Sequence, residues 1–434
     1  LVIFEKSNTP LFMPVKEITL TDNTTVEKKF TSYQALAIVL LALTQFTVVL
    51  DFMVMSPLGD MLMKSMSLTT KQFGFAVSGY AFSAGISGLL TAGFADRFDR
   101  KKLLLFFYVG FMAGTLSCGL ATSYPMLLAA RILTGLFGGV IGSISLAIMA
   151  DLFPLHQRGR AMGFIQMGFG ASQVLGIPIS LYIANQWGWQ SPFIMIVGMS
   201  AIIWLVVMLK MRPVTKHLAL KSDKSAFTHL WHTIKLRNYR IGFLSTALLS
   251  LGGFMMMPWG SAFAVNNLNI SYTQLPILFM VGGIASLIVM PVIGKLSDKI
   301  DKFKIFTIAA IWMMVVVVVY TNLRPVPFAI VIIMNILMMM GIMSRMVPAM
   351  ALTSALPRMQ DRGAFMSINS SLQQIAGGIA AGVGGMIVVQ KTKTSPLLHY
   401  DTLGYVIVVI ITINIIMVYR VSNIIKAKLH ESKV

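Results

Sequence analysis

Twelve stretches of about 20 mostly apolar residues, the length an α-helix needs to cross a bilayer, recur along the chain. They fall at roughly 33–57, 72–92, 103–122, 125–151, 161–184, 192–211, 241–265, 274–294, 305–322, 327–352, 364–389 and 402–421. Hydrocarbon offers no partner to backbone N–H and C=O groups, so a stretch of this length satisfies them as a helix. Charged residues make up 12% of the chain, against about 25% in a soluble domain, too few to cover a water-facing surface. The pattern predicts an all-α membrane protein with twelve transmembrane helices. A net charge of +20 would suit a nucleic-acid binder. The basic residues, however, sit in short blocks between apolar runs, as in loops held at one membrane face.

Of the 35 Lys and Arg residues, 28 fall in the tails, a central linker and alternate loops, counting Lys210 and Arg420 at the adjoining span ends with these; five fall in the opposite loops, and two, Arg131 and Arg345, deep inside spans. That asymmetry predicts both termini in the cytoplasm of a multi-pass protein of the inner (plasma) membrane, with anionic lipids as partners of the basic face. Residues 1–32 are read as a cytoplasmic tail with no apolar stretch fit for a signal peptide, and with Met13 as an alternative start. A polar, basic linker over 212–240 separates a first six-helix bundle, 33–211, from a second, 241–422, and a tail over 423–434 follows.

The two bundles are related in sequence. Asp96-Arg97-Phe98-Asp99-Arg100 returns as Asp298-Lys299-Ile300-Asp301-Lys302, and Thr70-Lys71-Gln72-Phe73 as Tyr272-Thr273-Gln274-Leu275, both at an offset of 202. Arg158-Gly159 returns as Arg362-Gly363 at an offset of 204. Six spans repeated within twelve is the architecture of transporters that bind near the midplane between halves and expose the site to each side in turn.

The segment Ala92-Gly93-Phe94-Ala95-Asp96-Arg97-Phe98-Asp99-Arg100-Lys101-Lys102 resembles motif A of the major facilitator superfamily, Gly-x-Leu-Ala-Asp-Arg-x-Gly-Arg-Lys. It departs from that pattern with Ala92 and Asp99 at the two glycines, and Asp301 repeats the second change in the other half. The resemblance implies a conformational gate of Asp96, Arg97, Arg100 and Asp298, with Asp151 at the end of span four pairing with Arg97 or Arg100. Arg131-Ile132-Leu133-Thr134-Gly135 is similar to motif B of span four. Gly176-Ile177-Pro178, with Gly188-Trp189-Gln190, is similar to motif C of proton-driven antiporters in its Gly-x-Pro variant. That variant is typical of the sugar-efflux and arabinose-efflux-like branch of the drug:proton antiporters; the usual arginine after the tryptophan is Gln190 here. The implied fold is two pseudo-symmetric six-helix bundles.

Proton coupling needs a group that changes charge inside the membrane. All four glutamates lie in the tails, no histidine lies in a span, and Asp51 is the one aspartate well inside one. Desolvation favours the neutral form of such a carboxyl and a nearby cation favours the charged form. Asp51 is therefore the expected proton carrier, with Arg131 as its partner in coupling; a static ion pair is the alternative. Polar residues in otherwise apolar spans are the expected substrate cavity: Gln166 and Gln173 in span five, Asn335 and Arg345 in span ten, Asn369, Gln373 and Gln374 in span eleven. Trp259 follows a hinge marked by Gly252, Gly253 and Pro258 and is expected to line the path.

Cys118 is the only cysteine, and no CxxC, HExxH or phosphate-binding loop occurs. No metal, cofactor or nucleic acid is expected, and no catalytic constellation points to an enzyme. The expected function is a monomeric proton-coupled antiporter exporting a small organic molecule, drug or sugar-like. A symporter or facilitator taking up a sugar, nucleoside or organic anion is the alternative, and a non-transporting membrane receptor or enzyme is a remote one.

Overall fold

The computed structural model describes residues 30–91, 97–215, 218, 226–358 and 361–431. The first half runs α1 (Ser32–Val54), α2 (Gly59–Met66), α3 (Thr70–Thr91), α4 (Arg100–Gly119), α5 (Tyr124–Leu152), α6 (Leu155–Ala171), α7 (Ile177–Trp187) and α8 (Ser191–Lys210). After a short helix, α9 (Ala226–Lys235), the second half runs α10 (Arg237–Phe254), α11 (Gly260–Asn266), α12 (Leu275–Lys299), α13 (Lys302–Thr321), α14 (Phe328–Ala355), α15 (Arg362–Ile387) and α16 (Tyr400–Glu431).

Among the described residues, eleven helical stretches are long and apolar enough to cross a membrane, α6 with α7 and α10 with α11 each counting as one. The twelfth span is α15, whose 26 residues reach about 39 Å at 1.5 Å per residue. Its serines, Asn369, Gln373 and Gln374 keep it below the apolar threshold, and its packing explains why that is tolerated. It lies along α3 rather than in lipid. Thr70 Oγ1 donates to Val388 O at 2.7 Å near one end of the seam, and Ser78 Oγ donates to Gly378 O at 2.7 Å further along. On its other side α3 meets α5 so closely that a Cβ on Gly135 would fall 2.3 Å from Tyr80 O. The protein is thus two bundles of six spans joined along a seam of small residues, which let backbones approach where a larger side chain could not fit.

The sequence repeat reappears as local structure. Gln72 Oε1 accepts from Thr69 N at 2.9 Å, and Gln274 Oε1 from Ser271 N at 3.0 Å. Asp99 caps α4 by accepting from Lys101 N at 2.9 Å, and Asp301 caps α13 by accepting from Phe303 N at 2.8 Å. This accounts for an aspartate where the family pattern has glycine: both residues have negative φ, so glycine's conformational freedom is not required and a capping carboxylate serves.

Asp301 also forms an ion pair with Lys426 of α16 at 2.8 Å. The hydrogen bond from Lys426 and those from the first-turn N–H groups hold its carboxyl below the usual aspartate range. The unfolded chain therefore takes up the proton first. The stabilisation is fully present above about pH 4 and is lost as pH falls through the folded pKa. Asp301→Asn keeps a capping side chain but removes the charge. The difference in melting temperature between wild type and variant should shrink from about pH 6 to about pH 3; a constant difference would show the ion pair contributes nothing.

Two helices extend beyond the apolar runs. α9 falls within the stretch 212–240 and buries Leu230 and Thr233 while exposing Trp231. It is too short and polar to register as a span. α16 continues to Glu431 because Lys426 pairs with Asp301 and Lys428 Nζ donates to Leu356 O at 2.8 Å.

Candidate functional site

Asp51, near the last turn of α1, and Arg131, in the second turn of α5, meet in the core of the first half. Both are 0% exposed, and Arg131 Nη1 lies 2.9 Å from Asp51 Oδ2. Thr115 Oγ1 of α4 donates to Asp51 Oδ1 at 3.1 Å, and the Tyr80 ring of α3 covers the guanidinium with its centroid 4.5 Å from Cζ. Helix packing leaves no slack, because a Cβ on Gly114 would lie 2.6 Å from Thr134 Oγ1. Arg131 Nε and Nη2 have no hydrogen-bond partner, so its charge is compensated by Asp51 alone among the described carboxylates. Protonating Asp51 would remove that compensation. The pair also touches the seam. The Phe52 ring lies 5.2 Å from that of Tyr80 and 5.9 Å from that of Phe254 in the other half.

The basic ends of the helices carry the expected gate residues. Asp151 pairs with Arg100, Nε to Oδ2 at 2.8 Å, and Arg97 is exposed. Asp298 is also exposed. Asp96 lies outside the described residues. Gly176 and Pro178 flank the break between α6 and α7, where Ser172–Gly176 form a π-helical turn. Proline has no N–H and its ring excludes the carbonyl four residues back, and an added residue in the turn accommodates both. A Cβ on Gly176 would fall 2.7 Å from Leu50 Cδ1, so α1 passes close by.

At the opposite, far face the halves are bolted together by groups that sequence reading passed over. Span one breaks after Val54 and resumes as α2; span seven breaks after Phe254 and resumes, past a 3-10 turn at Met257–Trp259, as α11. Ser56 Oγ donates to Met257 O, and Ser261 Oγ donates to Ser56 O at 2.7 Å. Asp60, 1% exposed, pairs with Lys64 at 2.8 Å. It also accepts from Asn266 Nδ2 at 2.5 Å and from the Tyr272 hydroxyl. Lys64 Nζ donates to Asn266 Oδ1 at 3.0 Å and to Tyr272 OH at 3.2 Å. Burial, and then the Asp60 carboxylate, push the Tyr272 phenol well above its usual value, which keeps it a donor. The sequence held one signal of this latch, the Asp60–Lys64 spacing of four on a helix.

Trp259 belongs to that seal. It is fully buried, 5.6 Å from the Phe73 ring between centroids. With the far face closed, the break in span seven turns the indole into the contact with α3 and α15. An apolar pocket between the halves lies just inside the seal, lined by Phe52, Met55, Val77, Phe254, Met257 and Ala381 among others.

Of the expected cavity residues, Asn369 and Gln373 line one cavity between α10, α14 and α15, toward the basic ends, with Ser250, Thr353, Met346 and Met350. Gln374 is half-buried and Gln166 exposed. Gln173 sits in the π-helical turn, where its carbonyl lies 3.0 Å from the position of a Cβ on Gly283 of α12. Asn335 meets Gly282 at the α12–α14 contact. Arg345 is 2% exposed in α14. Asn414 of α16, not singled out in the sequence, is fully buried with neither amide atom bonded.

Two six-helix halves, sealed at one face and holding a polar cavity toward the other, define a multi-pass membrane transporter. The family model described as Major Facilitator Superfamily matches residues 41–422, and the chain belongs to that superfamily. Similar chains include the uncharacterized MFS-type transporter YbcL of Bacillus subtilis (strain 168), 24% identical over 376 residues, 86% of this chain and 94% of the relative. YceJ of the same organism, also an uncharacterized MFS-type transporter, is 25% identical over 262 residues, 60% of this chain and 66% of the relative. A vacuolar membrane amino acid uptake transporter of Schizosaccharomyces pombe, fnx2, is 35% identical over 136 residues, 31% of this chain and 24% of the relative. Among solved structures, a D-xylose-proton symporter superposes with a TM-score of 0.72 at 17% identity, covering 90% of this chain and 97% of the other. A bacterial homolog to the human lysosomal transporter Spinster, inward-facing and unoccupied, gives 0.71 at 14% identity, covering 92% and 99%. These two likenesses show the fold.

Proposed function

We propose that the protein is a proton-coupled antiporter of the cell's inner (plasma) membrane that exports a small organic molecule by alternating access, with both termini in the cytoplasm. One observation carries this: a single carboxylate, Asp51, compensates a buried guanidinium and connects through Tyr80 and Phe52 to Phe254 across the seam. A proton arriving at Asp51 frees Arg131 to shift, and the aromatic contacts carry that shift to the surface between halves. The far-face latch and the cavity toward the basic ends support a resting state open to the cytoplasm. The Gly176-Ile177-Pro178 motif supports the exporter branch. Arg345 favours a second reading, uptake of an organic anion by symport, in the same fold.

The test uses purified protein in liposomes with a pH-sensitive dye inside, an imposed proton gradient, and a panel of sugars, amino acids and cationic or neutral drugs. Substrate-dependent proton flux is expected, and Asp51→Asn should abolish it. The relative direction of the two fluxes separates antiport from symport. Substrate movement without proton flux, unchanged in Asp51→Asn, would remove the coupling role and leave a static ion pair.

A further inference from the structure

Two arginines lie deep inside the spans, one in each half, and among the described residues only Arg131 has a counter-ion. Arg131 has Asp51 at 2.9 Å. Arg345 lies within α14, 2% exposed, and neither Nε nor Nη2 has a hydrogen-bond partner. Its one marked contact is the face of Phe306, 5.8 Å from Cζ to ring centroid. The second half cannot neutralise it: its acids Asp298, Asp301, Asp361, Asp401 and Glu431 all lie at helix ends or between helices. The position related by the repeat to Asp51 is Gly253. An uncompensated buried charge costs several kcal/mol, and methionine or leucine would fill the same space at no such cost. The cation is explained if its partner comes from outside the chain.

The surroundings suit a ligand. Met346 and Ala349, one and four residues along α14 from Arg345, line the cavity between α10, α14 and α15 together with Ser250, Asn369 and Gln373. Arg345 Nη2 would lie 3.9 Å from a Cβ on Gly252, which follows Ser250 by about 3 Å along α10. Asn369 Oδ1 in the lining is unbonded. Asn414, one turn beyond the Ile410 that also borders Gly252, is unbonded at both amide atoms. Unbonded polar atoms thus occur on the guanidinium, on Asn369 in the cavity lining and on Asn414 of α16, and the cavity beside Arg345's helical neighbours has a wall of methionine, alanine and leucine.

We infer that Arg345 is the anion acceptor of the transported solute, and that this solute is a small amphipathic monoanion. Its carboxylate takes the planar fork of the guanidinium, a pairing that Arg makes in bidentate form, and its apolar body rests against Met346 and the neighbouring methionines. The solute's passage rests on the transport reading above; its binding does not.

The test measures thermal unfolding of the full chain in phosphatidylcholine nanodiscs at constant ionic strength, titrated with benzoate, benzamide and benzamidine. These probes share a ring and differ in charge. Binding to the folded state raises the midpoint in proportion to the logarithm of ligand concentration over Kd. A rise is expected with benzoate alone, with affinity falling by about tenfold or more in Arg345→Gln. Gly252→Asp supplies an internal carboxylate at a position where a Cβ meets nothing closer than 3.6 Å; it should fold and lose the benzoate response. Gly252→Ala should keep it. No response of wild type to benzoate, an equal response to benzamide, or an unchanged response in Arg345→Gln overturns the proposal. So does stabilisation by phosphatidylglycerol discs that depends on Arg345 and leaves benzoate without effect, since the anion would then be a lipid headgroup. Loss of proton coupling with the benzoate response intact would defeat the antiporter reading alone.

Discussion

Replacing Arg131 with methionine is expected to destabilise the protein by about 3–5 kcal/mol, the usual cost of removing one partner of a buried ion pair. The Asp51 carboxylate would be left fully buried with Thr115 as its remaining side-chain donor. Removing both charges should recover most of the loss, because a buried pair gains little over well-packed neutral side chains once both desolvation costs are gone. Asp51→Asn alone should cost less than Arg131→Met. The guanidinium it strands still lies against the Tyr80 ring, and that contact is strongest when desolvated. Unfolding of the three variants in detergent decides the matter. A double variant as unstable as Arg131→Met would mean that the site is held by shape rather than by charge. The stability series and the proton-flux comparison separate two roles of Asp51, since a residue can be needed for coupling while its removal barely changes the fold.

The second large effect belongs to Asp60. Its carboxylate accepts from Lys64, Asn266 and Tyr272, and two of those three donors stand in the opposite half. Hydrogen bonds to charged groups are worth about 1.5–3 kcal/mol each. Asp60→Ala should therefore shift the balance between far-face-closed and far-face-open forms by at least about tenfold. Val77 lies in the pocket just inside the seal, so a Val77→Cys reporter labelled from the far side by a membrane-impermeant maleimide reads the shift directly. Faster labelling in Asp60→Ala is expected. Tyr272→Phe should act in the same direction and less, because it removes one donor and leaves the charge pair. Equal labelling in all backgrounds would mean that the apolar seal around Trp259 and Phe73 holds the face closed unaided.

The twelve spans, the two halves and the central ion pair were legible from residue types alone. Asp51 and Arg131 could be singled out because charge within an apolar run is costly enough to need a reason. The cap at Asp99 was visible as its repeat at Asp301, though its role became clear only with the N–H groups it accepts from. Choosing Arg100 over Arg97 as the partner of Asp151 needed the turn leading into α4. The far-face latch was not readable, since Asp60 and its partners Asn266 and Tyr272 are 206 and 212 residues apart and each looks like an ordinary loop or helix-end polar group. Faces were the other gap. Helical spacing grouped Gln166 with Gln173, but it could not say that Gln166 is exposed, nor that Trp259 is fully buried in the far-face seal. Asn414 was missed because one asparagine in a long apolar run gives no pattern.

The polar character of α15 has a consequence for how the chain is made. Each span must leave the insertion machinery for lipid, and a segment rich in Ser, Asn, Gln and Gly partitions into lipid poorly by itself. Its complement is already in the bilayer, because α3 is synthesised almost 300 residues earlier, as the hydrogen bond from Ser78 to Gly378 spans. Until α15 arrives, the Gly74 and Ser78 face of α3 lacks the backbone it packs against, and of the earlier second-half residues Trp259 reaches it only at Gly74. The first bundle must therefore wait in the membrane with its seam open, and biogenesis ends with a late, long-range zippering of α15 onto α3. Substitutions such as Gly74→Leu, where even a Cβ would lie 2.8 Å from Ala381 O, would then act first on assembly yield, leaving chains whose other spans are inserted but whose halves never close.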